Sequence, residues 1–421
     1  MKKLLTLFVA CSFFTSISFA GGFQINEQGA RAMSLAGAFA GLANDPSAIY
    51  FNPAGIVQLK GTKFYFGTTT ISPIASFTLG ENEKARDYEM KGQLFTPINF
   101  YATQQLSNKL FVGLGVNNQY GLGTKWDANW VGRFLAVNTE IRTFFFTPVV
   151  AYKLLDNLSF SVGGSFVMAD VTIERKAPNP NPTQQEPMIA MEGNTTGYGF
   201  TAGLLFNASE KLQLGLSYRS EVKLDFSGTA TSTPATFTHP LLKINLPFPN
   251  GDITAPLTTP QNITFGLAYM PQKDLTLTAD FQYVGWKSYD KLEVTFKTYD
   301  LDLNPANGQQ NVSTAIRDYQ NTFILRGGLE YTMTDNLQLR AGLLYDKNPV
   351  KTEYVDPTLP DADRLGFNIG FGGKLTDKLG IDFAYMLLTF QDRKVTGSVL
   401  KFNGTYSNTA HLFGFNLSYS L

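Results

Sequence analysis

Cysteine is nearly absent: the 421 residues contain one, Cys11. It falls in the apolar opening stretch, so a chain cleaved after Ala20 carries no thiol. Disulfide and thiolate chemistry are then excluded. Histidine is almost as scarce, with His239 and His411 alone. No His/Cys cluster has metal-ligand spacing, and no Gly-x-Ser-x-Gly elbow or phosphate loop is present. His239 near Asp252 is the one candidate pair for hydrolysis, and its spacing does not single it out. The chain therefore reads as no enzyme, with no cofactor and no metal. An excess of one charge is missing too. Lys plus Arg number 34, as do Asp plus Glu, which leaves no basic field for nucleic acid. Past the opening stretch, no apolar run approaches the roughly 18 residues that a membrane-crossing helix needs.

What is present begins with Met1-Lys2-Lys3, an apolar stretch from Leu4 to Phe19, and the small-x-small end Ser18-Phe19-Ala20. This reads as a secretory signal peptide over 1–20. A lipoprotein signal ending before Cys11 is the rival reading, and it leaves a very short apolar core. Aromatics make up 14 % of the chain, with 35 Phe and 19 Tyr. A soluble sandwich has no need of so many, whereas a barrel in lipid carries aromatic girdles at both interfaces.

Alternation of apolar and polar side chains is the strongest pattern. Phe413, Phe415, Leu417, Tyr419 and Leu421 oppose Gly414, Asn416, Ser418 and Ser420. Leu337, Leu339, Ala341, Leu343 and Tyr345 oppose Gln338, Arg340 and Gly342, and the stretch 275–283 repeats the pattern. Each segment has one apolar and one polar face and is long enough to cross a bilayer at a tilt. Six short polar turns punctuate them, at 106–110, 155–158, 208–212, 271–275, 334–337 and 376–379. Asp, Asn and Ser suit such turns. Longer stretches rich in Pro, Gly, Asn and Thr lie between. Six turns join twelve strands from about 92 to 393. One more strand lies near 62–72 and one near 409–421. The expectation is an all-β, 14-stranded antiparallel transmembrane β-barrel over 62–421. Residues 21–61 do not alternate. Their density of Ala and Gly predicts short, tightly packed helical turns, placed in the periplasm or, as their confinement favours, inside the barrel as a plug. Asn52-Pro53-Ala54 reads as a helix start, with Asn capping and Pro at the first position.

The polar faces place Arg219, Glu221, Asp280, Arg326, Glu330, Arg340, Asp346 and Asp382 inward, either as mutually paired charges or with a cation left for an anionic head group. Two segments read as loops with unexpected apolar content. One holds Phe237, Leu241, Leu242, Ile244, Leu246 and Phe248; the other holds Met188, Ile189 and Met191. Such clusters mark either binding grooves or a lid of loops packed on each other.

Several stretches then resemble the FadL family of outer-membrane transporters of hydrophobic compounds. They are Gly21-Gly22-Phe23-Gln24-Ile25-Asn26-Glu27-Gln28, Asn52-Pro53-Ala54, Tyr120-Gly121-Leu122-Gly123-Thr124-Lys125-Trp126 with Trp130-Val131-Gly132-Arg133, Tyr218-Arg219-Ser220, and Leu359-Pro360-Asp361-Ala362-Asp363-Arg364. Their order covers nearly the whole mature chain. The resemblance implies a fourteen-stranded barrel with an N-terminal hatch, and substrate that lands between extracellular loops, moves to a tighter site and leaves sideways through the wall. It implies Phe23 as a moving N-terminal contact and Asn52, Pro53 and Ala54 as hatch anchors. Asn118, Gln119, Tyr120 and Gly121 would form a kink in the third strand, and the two apolar segments the landing groove. Arg175 falls near the position of a carboxylate-binding arginine. The implied substrate is a long-chain fatty acid. The alternatives are a neutral aromatic hydrocarbon, which needs no cation, or, from another class, an outer-membrane enzyme or adhesin. A monomer in outer-membrane lipid, with a hydrophobic small molecule as partner, is expected.

Overall fold

The structure is a computed structural model that describes residues 21–80, 85–301 and 309–421. The expected signal peptide and Cys11 lie outside the described residues. Fourteen antiparallel strands cross the structure. They are β1 (Thr62–Leu79), β2 (Ile98–Gln105), β3 (Leu110–Asn117 and Gly121–Lys125), β4 (Asn138–Leu155), β5 (Leu158–Lys176), β6 (Met188–Ser209) and β7 (Leu212–Arg219 and Val222–Thr233). Then follow β8 (Gly251–Thr259 and Asn262–Gln272), β9 (Leu275–Val284 and Lys291–Phe296), β10 (Val312–Ile316 and Thr322–Thr334), β11 (Leu337–Asp346), β12 (Arg364–Lys374), β13 (Leu379–Phe390) and β14 (Gly404–Ser420). Consecutive strands pair, and β1 closes on β14 from Lys63↔Ser420 to Thr78↔Thr405. Closure joins the first strand to the last, as hydrocarbon demands, since lipid offers no partner to a bare amide.

The alternation sets the faces. Phe265, Phe281, Leu325, Leu343 and Phe367 point outward and are exposed, while Asp280, Arg326, Arg340 and Asn368 point inward and are buried. Five strands are interrupted, β3 and β7 to β10, and in all but β9 the interruption shifts the phase of alternation. This corrects one assignment. Glu221 sits at the break in β7 and is exposed rather than inward, and the inward residues beyond it are Val222, Leu224 and Phe226.

The interior is occupied. Residues 21–59 fold into short helices, α1 (Ala30–Ser34), α2 (Ala48–Phe51) and a 3-10 turn at Pro53–Gln58, and nearly all are buried. They touch inward faces on opposite sides of the closed barrel, so the segment lies within it. Inward glycines make the room. A Cβ at Gly215 or Gly266 would strike Ala40 or Gly41 of the segment. Asn52 is the pivot of the socket. Its Oδ1 accepts from Ala54 N–H at 3.2 Å, as the capping pattern implies, and its Nδ2 donates to Ala40 O and Leu204 O, both at 2.9 Å. Asp280 accepts the N–H groups of Phe39 and Ala40 at 3.0 and 2.9 Å. Asn368 donates to Met33 O at 2.6 Å, and Asn416 accepts from Ala30 N–H at 2.8 Å.

An ionic lattice ties the same segment to the wall. Arg31 donates two hydrogen bonds of 2.8 Å to Glu330 and meets Asp45 at 3.3 Å. Arg340, whose side chain is 1 % exposed, joins Glu330 and Asp382 at 2.6 Å each. Of the expected inward charges, Glu330, Arg340, Asp382 and Asp346 are paired, the last with Arg364 at 3.0 Å, while Arg219, Asp280 and Arg326 join no ion pair among the described residues. Arg340→Met would leave Asp382 in a water-poor interior with no ion pair, its remaining partner the Tyr65 hydroxyl at 3.2 Å, and Glu330 with Arg31 alone, a loss of about 3–5 kcal/mol. A lower temperature for the heat-induced shift of the barrel band in gel electrophoresis is the expected outcome.

Candidate functional site

Between Asn117 and Gly121, β3 carries one residue more than its partner. Asn117 faces Phe145 and Gly121 faces Arg142 on β4, so Asn118, Gln119 and Tyr120 stand opposite Thr143 and Phe144 alone. This is a bulge, which bends a strand and interrupts its ladder. The backbone groups it frees are taken up locally. Asn118 donates to Thr143 O at 2.6 Å and accepts from Ile98 N–H at 2.8 Å. The Thr143 hydroxyl accepts from Tyr120 N–H at 3.1 Å and donates to Tyr120 O at 2.7 Å. Tyr120 reaches across the lumen and donates to Pro260 O at 3.1 Å, at the break in β8.

Beyond the bulge β3 turns away from β2. The β2–β3 ladder ends at Asn99↔Asn117, and the β1–β2 ladder ends at Thr68↔Ile98. Above that level β1 and the second half of β3 have no full strand between them. Residues 90–97 cover part of the gap, with Phe95 bridged to Ile71. A cavity of about 520 Å³ opens there. Its lining mixes inward Ile71, Ile141 and Thr143 with outward Ile74, Arg142 and Phe144, so it passes through the wall.

A second cavity, of about 220 Å³, lies nearer the extracellular end. Ile173, Ile189, Met191, Phe226, Ile253 and Phe296 make it strongly apolar. It holds two arginines. Arg317 is paired with Asp356. The Arg175 guanidinium has neither hydrogen bond nor ion pair among the described residues, and burial disfavours its charge with no carboxylate to offset it.

Phe23 borders both cavities, with Leu122, Ile141 and Leu359. Its ring meets Trp286 at 4.9 Å, Tyr289 at 5.8 Å and Tyr120 at 6.0 Å, edge to face. Its backbone extends β3: Gly121 N–H donates to Phe23 O at 3.0 Å, and Ile25 N–H to Gln119 O at 2.9 Å. Gly22 has φ +71° with Trp286 where a Cβ would stand, so only glycine fits there. Its N–H donates to Asp361 at 2.7 Å.

Of the expected site residues, Phe23, Asn118, Tyr120, Gly121 and Arg175 line these cavities, and Gln119 lies within the bulge. Asn52, Pro53 and Ala54 lie in the interior socket. The two apolar segments do not form a groove. Met188, Ile189 and Met191 belong to β6, and the last two line the second cavity, because the strand runs well above the membrane. Phe237 and Phe248 pack on each other at 5.0 Å at the base of a small hairpin, while Leu246 is half-buried and Leu241, Leu242 and Ile244 are exposed at its turn. None of the six borders either cavity. His239 and Asp252 do not meet: Asp252 pairs with Lys297 at 3.4 Å. Sequence reasoning missed Trp286, Tyr289, Tyr319 and Arg317, which stand at the breaks in β9 and β10. The visible signal was Gly285-Trp286, which ends the alternation of 275–284.

The family described as outer membrane protein transport protein (OMPP1/FadL/TodX) matches residues 11–421. The chain belongs to that family. This family member is 25 % identical to the long-chain fatty acid transport protein of Escherichia coli O6:H1, over 98 % of this chain and 97 % of that one. Its fold is that of a Pseudomonas aeruginosa FadL homologue, with a TM-score of 0.78 and 20 % identity over 96 % of this chain and 100 % of the other. It is also that of the toluene transporter TodX of P. putida, with a TM-score of 0.71 and 16 % identity over 93 % and 98 % of the two chains. It is an outer-membrane transport protein and not an enzyme.

Burial pushes the Asp361 carboxyl up to about 6, against the pull of Arg364 and of the Gly22 N–H. Asp346 and Arg393 also face it. Withdrawal of the N-terminal segment would hydrate the carboxyl and return it toward about 3.9. If the segment withdraws, the arrangement described here would hold a proton more tightly and be favoured as pH falls through about 6. Withdrawal would then become roughly tenfold more frequent from about pH 5 to pH 7. Hydrogen exchange of the Phe23–Ile25 amides, corrected for intrinsic rates, reads this, and Asp361→Asn should flatten the profile.

Proposed function

We propose that this protein passes long-chain fatty acids from the extracellular side into the outer membrane. The acyl chain enters the upper apolar cavity with its carboxylate on Arg175. Displacement of Phe23 joins that cavity to the one at the β3 bulge, and the chain leaves sideways through the wall. The observation that carries this reading is that Phe23, with Leu122, Ile141 and Leu359, stands between a cationic apolar cavity and a cavity lined from both faces of the wall. Lateral exit keeps the chain out of water, a saving of about 0.8 kcal/mol per CH₂. The interior segment below, anchored by Asn52, Asp280 and Arg31, need not move. The likeness to named fatty acid transport proteins supports the same substrate class.

A neutral aromatic substrate is the second reading, favoured by the small volume of the upper cavity, about 220 Å³. Arg175 separates the two. In cells deprived of their own transporter, this gene should restore uptake of labelled oleate. Arg175→Gln should cut that uptake about tenfold and leave toluene entry unchanged. Oleate uptake no better than with an empty vector would remove the fatty-acid reading.

A further inference from the structure

The extracellular connection between β7 and β8 carries a small hairpin, Thr236–Thr238 paired with Asn245–Pro247. Its turn is ordered. His239 Nδ1 accepts from the N–H groups of Leu241 and Leu242 at 3.3 and 3.1 Å, and Lys243 N–H donates to His239 O at 3.0 Å. The neighbouring loop clamps its flank: Asn181 donates to Thr238 O at 3.0 Å, and Thr238 N–H donates to Gln184 at 2.9 Å. The hairpin buries the apolar residues its own packing needs, Phe237 and Phe248. Three are left over at the tip, Leu241, Leu242 and Ile244, exposed by 84, 64 and 50 %. They border neither cavity. From Thr233 to Gly251 the one charged side chain is Lys243, with no carboxylate among them.

An ordered turn that holds two leucines in water, beside a lone cation, has the build of a wedge for a lipid interface. The leucines suit the acyl boundary and the lysine suits the headgroup level of an anionic surface. We propose that this tip inserts into the surface of an anionic lipid bilayer brought against the extracellular face of the barrel. It stands on the same end as the upper cavity, so a docked bilayer would lie beside the entrance.

The test uses the full-length protein in zwitterionic nanodiscs, mixed with vesicles of phosphatidylcholine containing phosphatidylglycerol. The native tryptophans Trp126, Trp130 and Trp286 are 1, 3 and 0 % exposed, so Leu242→Trp gives a reporter at the tip. Its emission is expected to shift to the blue on adding vesicles and to be quenched by brominated acyl chains. The double change L241S/L242S should weaken co-flotation with vesicles at least about tenfold. Lys243→Glu should weaken it several-fold and remove its dependence on salt. The heat-induced band shift of each variant reports an intact barrel. An unmoved L242W emission at saturating vesicles, or vesicle binding unaltered in L241S/L242S, overturns the proposal. Equal binding to uncharged vesicles, with Lys243→Glu silent, overturns its anionic specificity. Vesicle binding is read without transport, so the result is independent of the oleate uptake assay.

Discussion

The third strand holds one residue more than its neighbour between Asn117 and Gly121, and the wall has to accommodate it in a medium that forgives no bare amide. A ladder broken in hydrocarbon exposes N–H and C=O groups at several kcal/mol each. Here Asn118 stitches β2 to β4, Thr143 takes both ends of Tyr120, and the backbone of Phe23 and Ile25 docks as a short extra strand. The opening beside β3 exists because these partners make it affordable. The same bond set explains why the N-terminal segment, the bulge and the opening form one unit. Withdrawal of Phe23 removes two of the bonds that hold the bulge as it stands.

Two halves of the N-terminal segment are held very differently. Residues 30–59 are fixed by Asn52, Asp280, Asn368, Asn416 and the Arg31–Glu330–Arg340–Asp382 lattice. Residues 22–25 are held by two backbone hydrogen bonds, one carboxylate and an aromatic cage. The lower lumen is therefore stoppered by many concurrent contacts, whereas the stretch above it is held by few. The breaks in β9 and β10 bring Trp286, Tyr289 and Tyr319 inward, where Trp286 and Tyr289 meet the Phe23 ring and Tyr319 packs on both.

Much of this was legible in the residues. Alternation along 275–283, 337–345 and 413–421 marked membrane strands, and six polar turns counted them. The Ala- and Gly-rich opening marked a confined helical segment. The cap of Asn52 on Ala54 was readable because it is local. The positions that escaped lie where alternation breaks. A bulge flips every later side chain to the other face, which is why Glu221 points out and Val222 points in. Sequence near a break carries no period from which to read direction, so Gly285-Trp286 marked the end of a strand but not where Trp286 or Arg317 would point. Met188, Ile189 and Met191 looked like loop because a strand rising above the lipid loses its apolar outer face.

The sequence by itself determined fourteen membrane strands preceded by a small-residue segment that does not alternate. Those features follow from local periodicity and turn chemistry, which each short segment expresses alone. Tertiary structure decided how each cation is partnered and which rings stand between the cavities. Arg317 meets Asp356 across the sequence, and Arg175 has no hydrogen-bond or ion-pair partner among the described residues. Phe23 acts as a partition only because the bulge of β3 and the breaks of β9 and β10 converge on it. Such convergence depends on barrel closure, a global constraint that no stretch of sequence states.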